Sequence, residues 1–169
     1  MDPQLLLFAN AVFYNNKIRS SDSVKSREPT IDNPLQLVST SVRDNVRNAE
    51  EERQGTSWFN SCEVGVVMSI LKKDGDVSKL LESLGENVRI IIISPYKAQV
   101  EKLKRALKRT KALKRLRQVI DISTVDSFQG QESDIVIFSA VRTYDASFVD
   151  NPNRLCVALT RARRKLHRC

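Results

Sequence analysis

The sequence contains little of what many catalytic and metal sites are built from. It has one histidine, His167, and three scattered cysteines, Cys62, Cys156 and Cys169, with no Cys-x-x-Cys pair. A single histidine excludes multi-histidine metal sites and most histidine-based catalysis. The odd number and the spacing of the thiols indicate neither a disulfide framework nor a cysteine zinc site, and they fit a reducing compartment. We therefore expect no metal site of this chain's own and a cytoplasmic or nuclear location.

Long apolar runs are also missing. The opening LLLFANAVF follows Asp2 instead of a basic segment, and it is too short to span a bilayer. We therefore expect no targeting segment and no membrane partner. With 169 residues, 41% hydrophobic and 28% charged, the chain has the composition of a globular protein and the length of one α/β-sized domain.

Positive charge is plentiful and unevenly distributed. The 28 Lys and Arg residues exceed the 20 Asp and Glu residues by eight, which favours a polyanionic partner. Ten of the basic residues lie between 97 and 117, where Glu101 is the one acid, and Val100, Leu103 and Leu107 recur there at helical spacing. A solvated helix face and a nucleic-acid contact are both compatible with this pattern.

The clearest secondary-structure pattern is VRIIIIS (88–94), a β-branched run typical of a strand buried on both faces of a parallel sheet. Pro95 then opens the basic helix. The alternation of strands and helices predicts an α/β fold with a mostly parallel sheet and helices on its faces, and ligands bind at the carboxyl ends of such strands. Further strands are predicted at 35–40, 119–124 and 133–141. Further helices are predicted at 4–14, at 60–72 with Ser57 or Asn60 as its start, and at 151–166 with Asn151 as its cap.

A polar turn between two apolar runs, TVDSFQGQESDIVI (124–137), contains Gly130, one of only five glycines. Without a Cβ atom, Gly130 can adopt positive φ or let a phosphate or sugar approach the backbone. Glu132 can accept hydrogen bonds from ribose hydroxyls, whereas Thr124 can bind phosphate or simply tie the turn. A structural turn and a ligand site both remain open, since one glycine decides little.

A second polar candidate is the basic segment ALTRARRK (158–165). Arg161 falls beside the apolar stripe of the predicted helix, so its guanidinium can point across a cleft and hold a phosphate through two hydrogen bonds. The alternative is a final helical turn whose cations interact favourably with the helix dipole.

Three segments, VRIIIISPYKAQV, ISTVDSFQGQESDIVIFSAVR and NPNRLCVALTRARRKL, resemble in order three motifs of superfamily-1 helicases of the nonsense-mediated-decay (Upf/Sen-like) type. GTSWFN (55–60) and MDPQLLLFANAVFYNNKI resemble further segments, so the resemblance covers nearly the whole chain. The motor of this family has two RecA-like domains, with ATP between them and single-stranded nucleic acid across their top. The chain is similar to the second, which implies a RecA-like P-loop NTPase-type fold at 55–169, preceded by a helix and polar linker at 1–54.

The resemblance also implies roles for individual residues. Arg161 would reach the γ-phosphate and stabilise charge in phosphoryl transfer, Glu132 would lie near the ribose, and Gln129 would couple the two sites. The implied nucleotide-binding residues are Gln129, Gly130, Glu132 and Arg161, and the implied nucleic-acid-binding residues are Ser94, Pro95, Tyr96, Thr124 and Val125.

The chain departs from the family in what it lacks. It contains no GxxxxGK[ST] phosphate loop and no apolar strand that ends in an Asp-Glu pair. Met1 matches the methionine of the family's Y-R-M-H-P, and the family continues beyond the segment that matches Cys169, so truncation at both ends is expected. ATP and Mg²⁺ would then bind jointly with a first motor domain in cis.

These observations predict the second motor domain of an ATP-dependent RNA or DNA helicase, inactive as an isolated chain. One alternative is a non-catalytic nucleic-acid-binding module that uses the basic helix at 97–117. Another is an interaction domain that uses the fold as a scaffold, because a fold does not establish a function.

Overall fold

The computed structural model describes residues 2–19, 31, 33–38, 51–128, 131–142, 156 and 160–169. Within these residues the α-helices are α1 (Pro3–Phe13), α2 (Ser61–Lys73), α3 (Gly75–Leu84) and α4 (Lys97–Arg109). The strands are β1 (Leu35–Leu37), β2 (Glu52–Gln54), β3 (Ser57–Phe59), β4 (Ile90–Ser94), β5 (Ile120–Thr124), β6 (Ser133–Phe138) and β7 (Ala162–Arg168), and 3₁₀ turns lie at Gly85–Asn87, Lys111–Leu116 and Asp126–Phe128.

Five strands form one parallel sheet in the order β1-β7-β6-β4-β5, while β2 and β3 form a separate antiparallel hairpin. All five residues of β4 are buried, as expected for a central strand covered on both faces. The predicted α/β fold with a mostly parallel sheet is confirmed.

Two hydrophobic cores lie on the two faces of this sheet. Because successive side chains of a strand point to opposite faces, Ile90 and Ile92 pack with α2, α3 and α4, whereas Ile91 and Ile93 pack with Leu5 of α1. Helices therefore cover both faces, as predicted.

Side chains that bond to backbone N–H groups define where several helices begin. The Asn60 Oδ1 accepts the N–H of Glu63 at 3.0 Å, so of the two predicted helix starts, Ser57 and Asn60, the structure has Asn60. Asp74 ends α2 and caps α3 through the N–H of Asp76, also at 3.0 Å. The basic helix α4 begins at Lys97, two residues later than the prediction that placed Pro95 at its start.

The prediction for the C-terminal segment was wrong in one respect. A helix was predicted through residue 166, but Ala162–Arg168 form β7, which lies between β1 and β6. Apolar spacing is a short-range pattern, whereas a central strand is stabilised by pairing with two distant neighbours. Cys156 and Thr160 do have helical backbone, and the predicted cap at Asn151 lies outside the described residues.

The residues before position 55 contact the sheet that the later residues form. The N–H of Asp2 donates to the carbonyl of Arg163 at 2.8 Å, and the N–H of Leu166 donates to the carbonyl of Pro34 at 2.7 Å. The division at 54/55 stays a prediction, and these contacts favour one unit that includes α1 and β1. In the described part of the chain, no helix combines the length and the apolar character needed to cross a membrane.

Candidate nucleotide and nucleic-acid sites

The residues predicted to contact nucleic acid meet at the carboxyl ends of β4 and β5. Ser94 and Thr124 end these strands as register partners. The N–H of Val125 donates to the Ser94 carbonyl at 3.2 Å, and the N–H of Tyr96 donates to the Ser94 Oγ at 3.4 Å. The two segments, Ser94–Pro95–Tyr96 and Thr124–Val125, are therefore brought together from positions 30 residues apart in the chain.

Burial divides this group into exposed and supporting residues. The side chains of Ser94 and Val125 are buried, so they support the edge from beneath. Pro95, Tyr96 and Thr124 are partly exposed, and the Thr124 Oγ1 lies 2.6 Å from the Ser127 hydroxyl. The surface available to a ligand is therefore formed by Pro95, the ring of Tyr96 and the paired hydroxyls of Thr124 and Ser127.

Two of the four predicted nucleotide residues, Glu132 and Arg161, lie at the opposite edge of the sheet. Glu132 immediately precedes β6 and Arg161 immediately precedes β7, and the N–H of Ser133 donates to the Arg161 carbonyl at 3.0 Å. Because β6 and β7 are parallel neighbours, both residues lie at amino ends of strands. The expectation that ligands bind at carboxyl ends therefore does not describe these two residues.

Glu132 is paired with an arginine that the sequence prediction did not assign to the site. The Nε of Arg163 donates to the Glu132 Oε2 at 2.9 Å, and both side chains are about half exposed, at 46% and 51%. This hydrogen bond holds the pKa of Glu132 below its usual value; burial opposes it, and the charges of Arg163 and Arg161 reinforce it. Glu132 is therefore an ionised acceptor. If residues 161–168 had been predicted as a strand, the alternation of side chains would have placed Arg161 and Arg163 on the same face of the sheet.

Arg161 follows a short hydrogen-bonded turn. Its Nη2 donates to the Thr160 Oγ1 at 3.4 Å, and that hydroxyl donates to the Cys156 carbonyl at 2.8 Å. The hydroxyl of Tyr14, which follows α1, lies 3.3 Å from the Cys156 Sγ, and this contact raises the pKa of Tyr14. Thr160 and Cys156 therefore lie between Arg161 and Tyr14, which follows α1.

A polar cavity of about 360 Å³ opens at the amino ends of β4, β5 and β6. Arg89, Asp121, Gln131 and Glu132 are among its lining residues. Glu132 therefore borders this cavity and pairs with Arg163. Gln129 and Gly130 lie outside the described residues, so their predicted roles stay predictions.

A buried polar network at the carboxyl edge was not predicted. The Glu63 carboxylate accepts the Ser139 hydroxyl at 2.5 Å and the N–H of Val141 at 2.9 and 3.1 Å. The Gln99 amide donates to the Ser139 Oγ at 2.9 Å and accepts the N–H of Asn60 at 2.9 Å. No local pattern marks Glu63 as buried, because its partners are more than 70 residues away.

Two properties of the network are unusual. Burial raises the pKa of Glu63, although the hydrogen bonds from Ser139 and Val141 act in the opposite direction. Val141 adopts a φ of 73°, in the left-handed region that disfavours β-branched residues. The network therefore holds a strained turn directly after β6.

Comparisons with known proteins agree with this architecture. A family model described as an AAA domain matches residues 1–167. Helicase sen1 of Schizosaccharomyces pombe is 34% identical over 98% of this chain, and an uncharacterised ATP-dependent helicase of Methanocaldococcus jannaschii is 31% identical over 98%. The regulator of nonsense transcripts 1 homolog of Drosophila melanogaster is 32% identical over 96%.

The sheet and its helices form a RecA-like α/β domain, and the S. pombe and M. jannaschii relatives above are named as helicases. The chain belongs to the AAA-domain family that the matching model defines, and its relatives include helicase sen1 and the regulator of nonsense transcripts 1 homolog. It spans 24%, 10% and 14% of the M. jannaschii, S. pombe and D. melanogaster relatives, respectively.

The described residues place two cationic donors and one carboxylate acceptor at this edge of the sheet. Arg161 and Arg163 are phosphate-type donors, and Glu132 is an acceptor suited to a sugar hydroxyl. In the same described ranges, no group of three or more His, Cys, Asp and Glu side chains is arranged to hold a metal ion. These donor and acceptor types are the ones that the phosphates and the sugar hydroxyls of a nucleotide require.

Proposed function

We propose that this chain is the second RecA-like motor domain of a superfamily-1, ATP-dependent helicase that acts on RNA or DNA. The observation that carries the proposal is the separation of two groups of residues across one sheet. Glu132 and Arg161 meet at the amino ends of β6 and β7, and Ser94 and Thr124 meet at the carboxyl ends of β4 and β5. Because one sheet joins the two groups, it is suited to coupling nucleotide binding at one edge to the binding of a single-stranded nucleic acid at the other.

On the nucleotide side, Arg161 binds the transferring phosphate and stabilises its negative charge. Glu132 accepts a hydrogen bond from the ribose, and the hydrogen bond from Arg163 lowers the pKa of that carboxylate. ATP with Mg²⁺ supplies the transferable phosphoryl group, and the residues that hold the metal and activate water come from a first motor domain in cis. Because the sequence contains no GxxxxGK[ST] segment, we expect the isolated chain not to hydrolyse ATP.

On the nucleic-acid side, the partly exposed Pro95, Tyr96 and Thr124 contact a single strand. Aromatic rings stack on bases of any sequence, and hydroxyl groups bind phosphate oxygens. The ten basic residues at 97–117 favour the same partner, because their positive charge attracts the phosphates of nucleic acid. Such a protein works in the cytoplasm or the nucleus.

The test joins the 169-residue chain to the first motor domain of a related helicase and measures nucleic-acid-stimulated ATP turnover. We expect Arg161→Ala to reduce kcat about 10³-fold or more and to change single-strand affinity little. Lys73→Ala, which removes an exposed cation at the end of α2, is the matched control. Equal loss of affinity and turnover contradicts the phosphate role. ATP hydrolysis by the purified chain alone, with contamination excluded, contradicts the division of the site.

A second candidate, a nucleic-acid-binding module without catalysis, is favoured by the surface of α4. Lys102, Arg105 and Arg109 line a groove of about 310 Å³ against Ser61 of α2. The Lys102 ammonium lies 3.9 Å from the ring centre of Phe59. Neutralising Lys104, Arg105, Lys108 and Arg109 should then abolish salt-sensitive binding by the isolated chain, whereas Tyr96→Ala should have little effect.

A further inference from the structure

We propose that the hairpin β2–β3, together with Arg142, forms an additional binding site for single-stranded nucleic acid, in which Trp58 stacks on a base and Arg53 binds a neighbouring phosphate. The site extends the surface formed by Tyr96 and Thr124. This inference rests on the proposed function, because its ligand is the same single-stranded nucleic acid.

Two arginines contact the indole of Trp58 in different ways. The guanidinium carbon of Arg142 lies 4.4 Å from the ring centre, and that of Arg53 lies 5.8 Å away. The Nε of Arg142 donates to the Glu51 carboxylate at 2.9 Å, and these two side chains are only 15% and 11% exposed. Arg142 is therefore a fixed support for the indole.

Arg53 is the adaptable member of the pair. It is exposed and its longer contact with Trp58 is weaker. Its Nε donates to the carbonyl of Gly55 at 3.0 Å in the hairpin turn. Trp58 is itself only partly buried, so a base can replace the Arg53 guanidinium on the ring. The displaced guanidinium then remains close enough to bind a neighbouring phosphate of the same strand.

The hairpin lies beside the predicted nucleic-acid residues. The Ser57 Oγ accepts the N–H of Ala98 at 3.1 Å in the first turn of α4, which begins directly after Tyr96. β3 packs on this helix, and Lys102 contacts the adjacent Phe59. A single-stranded nucleic acid that binds at Tyr96 can therefore also contact the hairpin.

The buried network explains how Arg142 is oriented before any strand binds. Arg142 follows Val141, whose N–H donates to both oxygens of Glu63. The left-handed backbone at Val141 turns the chain away from the direction of β6. Glu63 is thus a positioning residue for Arg142, and it lowers the entropy lost when the site binds its ligand.

The chemistry of this site selects single strands and not a sequence. An indole stacks on the exposed face of any unpaired base, and a guanidinium binds any phosphate. In a duplex the base faces are covered by their neighbours. We therefore expect binding to RNA and DNA single strands alike and weaker binding to duplexes.

Trp58 is the one tryptophan in the chain, so its emission reports on this site alone. The experiment titrates the 169-residue chain with oligothymidylate and oligouridylate, following Trp58 emission and, with a labelled strand, anisotropy. We expect emission to change along the same binding curve as anisotropy. A duplex of matched length should bind more weakly and change the emission less.

Variants separate this site from the wider surface. Arg53→Ala should lower the slope of log affinity against log salt by about 0.7, and Trp58→Ala should weaken binding about fivefold or more. Arg19→Ala, which removes an exposed arginine just after α1, is the matched control and should change neither quantity.

Strand binding with unchanged Trp58 emission and with Arg53→Ala equal to the control overturns this site and leaves the proposed function intact. Equal binding of duplex and single strand overturns the stacking. The absence of any binding by anisotropy overturns both the site and the nucleic-acid role of the isolated chain, whereas the Arg161 test of turnover in the joined protein is unaffected.

Discussion

The Nε of Arg163 donates to the Glu132 Oε2 at 2.9 Å between the amino ends of β7 and β6. This pair lies beside Arg161, so two guanidinium groups and one carboxylate share one edge of the sheet. The phosphates of a nucleotide suit the two guanidinium groups, and its sugar hydroxyls suit the carboxylate. The pair therefore supports the proposed nucleotide side before any ligand is present.

Replacing Arg163 with alanine should raise the pKa of Glu132 toward its ordinary value. The hydrogen bond from Arg163 is the largest cause of its depression. The titration of the Glu132 carboxyl carbon by NMR measures this directly. Arg105→Ala, which removes the partner of Glu101, is the control and should leave Glu132 unchanged. An unaltered Glu132 titration in Arg163→Ala would show that the pair is not formed in solution.

Removing the Glu63 carboxylate should destabilise the fold. Glu63→Ala leaves the buried Ser139 hydroxyl and Val141 N–H without their acceptor, which costs about 3 kcal/mol in the free energy of unfolding. Glu63→Gln keeps an acceptor oxygen and should lose less. Urea denaturation measures both, and the exposed Glu82→Gln on α3 should be neutral. Equal losses for the alanine and glutamine variants would contradict the acceptor role.

Glu63 should also make stability depend on pH. Its pKa is raised in the folded state, so the native chain holds this proton more tightly than the unfolded chain. Its contribution to stability is therefore present below the unfolded pKa of about 4.3 and declines as pH rises through the folded pKa. Urea denaturation at a series of pH values measures this, and the stability advantage of the native protein over Glu63→Gln, whose amide does not titrate, should shrink as pH rises through the folded pKa.

Glycine should be a better replacement than alanine at Val141. Both lose the buried side chain, but alanine keeps the strain of a φ of 73°, whereas glycine adopts it freely. We expect Val141→Gly to be about 1 kcal/mol more stable than Val141→Ala. The order should reverse at Val136, in the middle of β6, where glycine weakens a strand. Thermal unfolding of the four variants decides the matter, and the same order at both sites would contradict a strained Val141.

The buried His167 should make the fold sensitive to acid. Burial lowers its pKa from 6.5 to about 4, with Lys165 acting in the same direction and Asp74 opposing it. Because the folded pKa is depressed, its contribution to stability is complete above pH 6.5 and is lost as pH falls through about 4. His167→Leu should flatten this part of the stability profile in urea denaturation. An identical profile would show that other groups cause the acid sensitivity.

Local patterns determined much of the secondary structure. The run at 88–94 predicted the central strand, and the start of α2 was predicted at Ser57 or Asn60, because both depend on neighbours in sequence. The same reasoning was wrong at 162–168, where the competing helical spacing was local but the stabilising contacts were not.

The sequence by itself determined the α/β class, the concentration of positive charge at 97–117 and the resemblance to helicase motifs, since composition, periodicity and motif order are properties of the chain. Only the tertiary structure decided which residues meet. It placed Glu132 with Arg163, Ser94 with Thr124 and Glu63 with Val141. Each pair is joined by the register of parallel strands or by burial, and both depend on residues tens of positions apart that no local pattern encodes.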